Sequence, residues 1–332
     1  MKPYRDTDYL QATARVRAKE NGMVTGRDFA KMVDAKNAEE AFKVLSDAAI
    51  CQGYSMGDYE VAFRNNLKET YELVASIAPD PEVVEIFRLK YDGHNLKTAV
   101  KGKKTGGAIE NLLSPLGNVP AEELLRELAE GRFNRVPQAM GKAALEAAEL
   151  LARTGDPQAV DILVDRAMLE TMAKKAHDFG NPFLTSFVEA QVDIANIRTV
   201  IRLKRMGKDA MALKKILAEG GSISVRRLLE LYPRGYDELL GYLSTTPYGK
   251  TLEPCYDAIR AERSLTLFEK LCDNHMVAML DRARLIPFGI EPLVAYLYAK
   301  ECETKAARIV LASKLAGVPS EQITERLRDV YA

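Results

Sequence analysis

The 332-residue sequence has no tryptophan, only three histidines and four cysteines, and no excess charge of either sign. Each shortage excludes something. Cys51, Cys255, Cys272 and Cys302 include no CxxC pair, and His94, His177 and His275 stand far apart, so neither a disulfide framework nor a zinc ribbon is indicated. Lys and Arg number 47, as do Asp and Glu, which removes the global attraction that a non-specific nucleic-acid binder would use. No apolar run approaches the roughly 18 residues of a membrane span, and the N-terminal stretch is too charged for a secretory leader. Alternating β-branched runs are scarce as well.

What is present is helical spacing almost throughout: Phe29, Met32, Val33; Leu124, Leu125, Leu128; Leu265, Phe268, Leu271, Cys272. Prolines precede acidic first turns at residues 79–82, 120–123 and 319–322, and glycines fall between periodic segments. The pattern predicts an all-α chain. A length of 332 residues exceeds what one core usually holds, so two or three domains are expected.

An internal repeat supplies the organisation. Residues 81–97, 182–198 and 292–308 align without a gap. In each copy a proline precedes an acidic residue by eleven positions (Asp92, Asp193, Glu303). A basic residue follows five later (Lys97, Arg198, Arg308), then a lysine (Lys103, Lys204, Lys314) and a glycine (Gly106, Gly207, Gly317). Each copy predicts one helix of about 24 residues, roughly 36 Å long. A second element recurs as Gly22/Thr25/Phe29, Gly117/Pro120/Leu124 and Gly221/Ser224/Leu228, with a partial copy at Gly317/Ser320. The predicted order is a short-helix hairpin and then a long-helix pair, three times over, with a closing C-terminal helix. The boundaries give repeats at 1–112, 113–219 and 220–332.

Within the long helix the acidic residue and an Asn three positions on share one face: Asp92/Asn95 and Asp193/Asn196, but Glu303 with Ala306. Two readings stand for them: hydrogen bonds between neighbouring helices that fix register inside each domain, or a partner-facing surface. On another face run basic stripes, Lys97/Lys101/Lys104 and Arg198/Arg202/Arg205, of which the third copy keeps only Arg308. These cations either offset the helix macrodipole or receive an acidic partner, a protein rather than nucleic acid because few aromatics accompany them. Residues 102–107 lack the order of a phosphate loop, no HExxH or GxSxG appears, and no aspartate cluster marks a magnesium-dependent enzyme. No catalytic residue, cofactor, metal or small-molecule substrate is indicated.

Four motifs carry a resemblance that covers nearly the whole chain. They are residues 9–20, with Arg15 and Arg17; Tyr91-Asp92-Gly93-His94-Asn95-Leu96-Lys97; Asp193-Ile194-Ala195-Asn196-Ile197-Arg198; and residues 300–308. The chain resembles the C subunit of bacterial and archaeal V/A-type ATPases, which is similar to the d subunit of the vacuolar ATPase. It departs from that family's pattern at Lys97, where Arg is usual, and at Ala306-Ala307-Arg308, where Asn-Ile-Arg is usual. The resemblance implies a funnel of three homologous all-α domains about a pseudo-threefold axis. It further implies a non-catalytic central-stalk subunit, peripheral on the cytoplasmic face of the membrane, that seats the D and F shaft on the proteolipid ring. Read without the resemblance, a soluble helical-repeat scaffold with cytosolic partners fits the same pattern.

Overall fold

The computed structural model describes residues 5–48, 50–105 and 109–332, with the side chains of residues 103–105 excepted. Every regular element among the described residues is helical. The chain divides into two compact units, Met1–Pro81 with Pro247–Ala332, and Glu82–Thr246.

The first unit opens with α1 (Leu10–Glu20), α2 (Gly26–Asp34), α3 (Ala38–Asp47) and α4 (Tyr59–Ile77). The second unit holds α5 (Glu82–Thr105), α6 (Ala121–Glu130), α7 (Gln138–Thr154) and α8 (Gln158–Phe179), then α9 (Pro182–Arg205), α10 (Ala210–Ile216), α11 (Val225–Leu231) and α12 (Tyr236–Ser244). The chain then returns to the first unit with α13 (Gly249–Leu252), α14 (Tyr256–Arg260), α15 (Thr266–Arg284), α16 (Glu291–Leu315) and α17 (Ser320–Arg326). The three long repeat helices are α5, α9 and α16, of 24, 24 and 25 residues. Both cuts fall out of phase with the sequence repeat: the second unit takes α5 from the first copy and α11 and α12 from the third. Each keeps a long helix together with short helices of the next copy.

Local chemistry explains the boundaries. Thr25 and Asp28 form a reciprocal capping box at the head of α2. Asn181 accepts from the Leu184 amide, with Pro182 at the first helical position of α9. Gly207 and Gly317 follow α9 and α16 in the left-handed region, at φ 64° and 67°, where an L side chain would be strained.

In the first unit α16 is buried along most of its length and lies against α1, α2, α3, α4, α15 and α17. Its Ala306, Ala307, Val310 and Leu311 join Phe29, Met32, Leu45, Phe63 and Ile323 in one core. In the second unit α8 packs on α5, α7 and α9, and the Phe87 and Phe187 rings meet at 6.0 Å between centroids. None of the described helices is long and apolar enough to cross a membrane.

His275 on α15 is a structural histidine. Its Nδ1 lies 3.0 Å from the Thr251 hydroxyl and its ring packs on Tyr248, 4.8 Å between centroids. Burial holds its pKa below the ordinary 6.5. The unfolded chain therefore binds a proton that the folded one refuses, and stability falls as pH drops below about 6.5. The contribution is no steeper than about 1.4 kcal/mol per pH unit. Urea midpoints at pH 7.5 and 5.5 should show this slope, and His275→Gln should flatten that part of it.

Candidate functional site

The repeated acidic residues are fully buried, and each is occupied by the backbone of a loop that leads into a short helix. Asp92 accepts from the Val119 amide through Oδ1 at 3.1 Å and from the Asn118 side-chain amide through Oδ2 at 2.9 Å, just ahead of α6. Asp193 repeats the arrangement ahead of α11. There the Ser222 amide (3.0 Å) and hydroxyl (2.6 Å) donate to Oδ2, and the Ile223 amide (3.0 Å) donates to Oδ1. Glu303 takes the Val24 amide at 2.6 Å, ahead of α2. The third copy's long helix thus holds the first copy's short helix, so the order of the repeat is cyclic.

Three differences among the copies have physical causes. Gly117 and Gly221 lie so close to the carboxylates of Asp92 and Asp193 that an added Cβ would overlap Oδ1. Gly22 is not against a carboxylate, and there the longer glutamate reaches the loop. Asn95 closes a two-way bond with Ser114, donating to its carbonyl at 2.9 Å and accepting from its amide at 2.7 Å. Asn196 does the same with Ala218, at 2.8 and 3.0 Å. The equivalent partner for position 306 is Lys19, inside α1, whose backbone is already committed to a helix. An asparagine would have nothing to hold there, and Ala306 packs in the core instead.

The far ends of α11 and α2 are held as well. Lys204 donates to the carbonyls of Tyr232 (2.8 Å) and Arg234, at the end of α11. Lys314 donates to the Ala35 carbonyl (2.6 Å), at the end of α2. Lys103 has its side chain outside the described residues. Eleven residues of long helix, about 16 Å, separate carboxylate from ammonium. That is about three turns of helix, enough to span a short helix and the loop residue at each of its ends, with an anion at the positive end and a cation at the negative end. Burial raises the Asp92 pKa, and the donors from residues 118 and 119 oppose the rise. Burial also lowers that of Lys204.

The stripes are placed differently in each copy. Lys97 and Lys101 on α5 reach Asp165 and Asp161 on α8, each at 2.6 Å. Lys104 lies in α5, but its side chain is outside the described residues. Arg198 is half-buried on α9, whereas Arg202 and Arg205 at its end are exposed. Arg308 forks onto both carboxylate oxygens of Glu60 on α4, 2.8 Å each. Among the described residues no three His, Cys, Asp or Glu side chains gather as a metal site would need. This constellation holds helices in place; it presents no group poised for bond-breaking.

The sequence profile of the ATP synthase (C/AC39) subunit matches residues 12–326. The chain belongs to that family. Members of it are structural rather than catalytic parts of the ATP synthase complex. The chain is 26% identical to the C subunit of the V-type sodium ATPase of Enterococcus hirae over 329 residues, 98% of this chain and 99% of that one. It is 25% identical to the C subunit of the A-type ATP synthase of Methanocaldococcus jannaschii over 352 residues, 96% of this chain and 86% of that one. With the C subunit of the A-type ATP synthase of Methanobrevibacter smithii the identity is 28% over 343 residues, 96% of this chain and 88% of that one.

Two further features of this C/AC39 family member have no clear sign in the sequence. Arg17, within the N-terminal motif, donates to the Ala283 carbonyl at the end of α15 (2.6 Å), to Glu20 (2.8 Å) and to the Tyr331 hydroxyl (3.2 Å). One guanidinium thus gathers α1, α15 and the C-terminal segment. Lys300 lies buried against Glu303, an ion pair inside the core of the first unit. A lysine three positions before a glutamate is an ordinary surface pair in sequence terms, and nothing in the spacing marks it as buried.

Proposed function

We propose that the chain is the central-stalk coupling subunit of a V/A-type ATPase, seating the D and F shaft and passing torque to the proteolipid ring. In this reading it is peripheral, on the cytoplasmic face of the membrane, and built of three homologous domains at 1–112, 113–219 and 220–332 in a pseudo-threefold funnel. The observation that carries the reading is the repeated bracket, in which a buried carboxylate on a long helix holds the loop ahead of a short one. A shaft foot and a ring of identical hairpins share no symmetry, so the part between them needs broad, unlike faces on a body that does not bend. Buried carboxylates that tie long helices to the next short helix supply that stiffness, and family membership supplies the complex.

Of the stripes, Lys97, Lys101 and Arg308 are assigned to holding helices together. The partner-facing role goes to α9, where Arg202 and Arg205 are exposed.

Reconstitution tests the coupling. ATPase heads with shaft, and ring with its stator, are incorporated into vesicles with and without this chain. With it, ATP hydrolysis should drive ion uptake, and blocking the ring should stop hydrolysis. Without it, hydrolysis should continue and uptake should be lost. Full ATP-driven uptake in its absence would overturn the proposal.

A further inference from the structure

A protein of zero formal charge carries one concentrated cationic segment. Between Arg202 and Lys215 stand six basic side chains against the single carboxylate of Asp209. The aligned residues of the third copy, 312–325, hold one lysine and two glutamates, and those of the first, 101–114, three lysines and one glutamate. The concentration belongs to the second copy alone. The bracket chemistry accounts for Lys204, and the coupling reading takes up Arg202 and Arg205, which leaves Lys208, Lys214 and Lys215.

The same segment exposes apolar tips. Met206 is 59% and Met211 67% exposed, while Lys208, Lys214 and Lys215 around them are exposed too. This corner is held in shape. The Gly207 and Lys208 amides bond back to the Lys204 and Leu203 carbonyls, each at 3.0 Å, closing α9. The Tyr232 hydroxyl donates to the Lys208 carbonyl at 2.7 Å, Asp209 caps α10 through the Ala212 amide at 2.7 Å, and buried Leu213 anchors the short helix beneath.

Two methionine tips set among cations match a surface that is anionic outside and apolar just below. Lysine is the commoner cation here. As a flexible point charge it suits headgroups with no fixed geometry, whereas a folded acidic protein with fixed carboxylates would favour arginine forks. We propose that the corner between α9 and α10 docks on anionic lipid headgroups, with Met206 and Met211 entering the interface. The inference takes from the coupling role only that a membrane is near. Vesicles test it with this chain alone, so its failure leaves the reconstitution assay untouched.

The full chain is floated with phosphatidylcholine vesicles, with and without phosphatidylglycerol. It should bind the anionic vesicles at least about tenfold more tightly, less so as salt rises past about 0.15 M. Combined Lys208→Glu, Lys214→Glu and Lys215→Glu should remove that preference. Met206→Ser with Met211→Ser should weaken binding by a factor that added salt leaves unchanged. Circular-dichroism melts identical to the parent's would certify that both variants fold. Equal binding to neutral and anionic vesicles, or charge reversal without effect, would overturn the proposal. So would a parent chain that ignores lipid but binds the detergent-solubilised ring through the same three lysines, which would make the occupant an acidic protein surface.

Discussion

Asp193→Ala should cost the second unit about 3–5 kcal/mol, enough to consume much of an ordinary domain's stability. The side chain is fully buried and accepts from the Ser222 amide and hydroxyl and from the Ile223 amide. Truncation leaves the buried Ile223 amide facing a cavity and strips the Ser222 amide and hydroxyl of their acceptor. Each such orphan costs about 1–3 kcal/mol, moderated where water can enter beside the exposed Ser222. Urea denaturation reads the loss as a lower midpoint at unchanged slope. A loss below about 1 kcal/mol would mean that the loop finds other acceptors and that the bracket is not what fixes α11. Gly221→Ala supplies the partner experiment. Its added methyl overlaps Asp193 Oδ1, so it should destabilise the parent but have much less effect once Asp193 is alanine.

Glu303→Ala should be comparably severe in the first unit, again about 3–5 kcal/mol, for a different reason. Here the carboxylate is shared between the Val24 amide and the buried Lys300 ammonium, and removing it strands a charge inside the core. Lys300→Met with Glu303→Gln removes both charges, while the glutamine carbonyl still accepts from Val24. The double variant should recover all but about 1 kcal/mol, because a buried ion pair contributes little net stability over an apolar pair of similar size. A double variant as unstable as Glu303→Ala would place the effect in packing rather than in the stranded charge.

The long helices are legible in the sequence, since proline near one end and glycine past the other bracket about 24 residues in α5, α9 and α16. The shared face of Asp92 and Asn95 is legible too, because three-residue spacing fixes it. What that face meets is not. A helical pattern says that Asp193 points away from Arg198 but not that a loop some thirty residues later returns to fill it. The stripes show the same limit: Lys97 and Lys101 read as an exposed row until α8 brings Asp165 and Asp161 opposite them. The glycines at 117 and 221 are the signal that points to the loops, being the residues that permit close approach to a buried carboxylate.

The division of the first unit between the two ends of the chain bears on how the protein is made. Ribosomes deliver roughly 5–20 residues per second, so the 165 residues of the second unit, Glu82–Thr246, separate the halves of the first by about 8–33 s. Throughout that interval Phe29, Met32, Leu45 and Phe63 lack Ala307, Val310 and Leu311, and the Val24 amide lacks Glu303. The second unit can close while still tethered to the ribosome. The nascent N-terminal helices must wait for α16 with their apolar faces bare, which makes them the segment on which a holding chaperone would act.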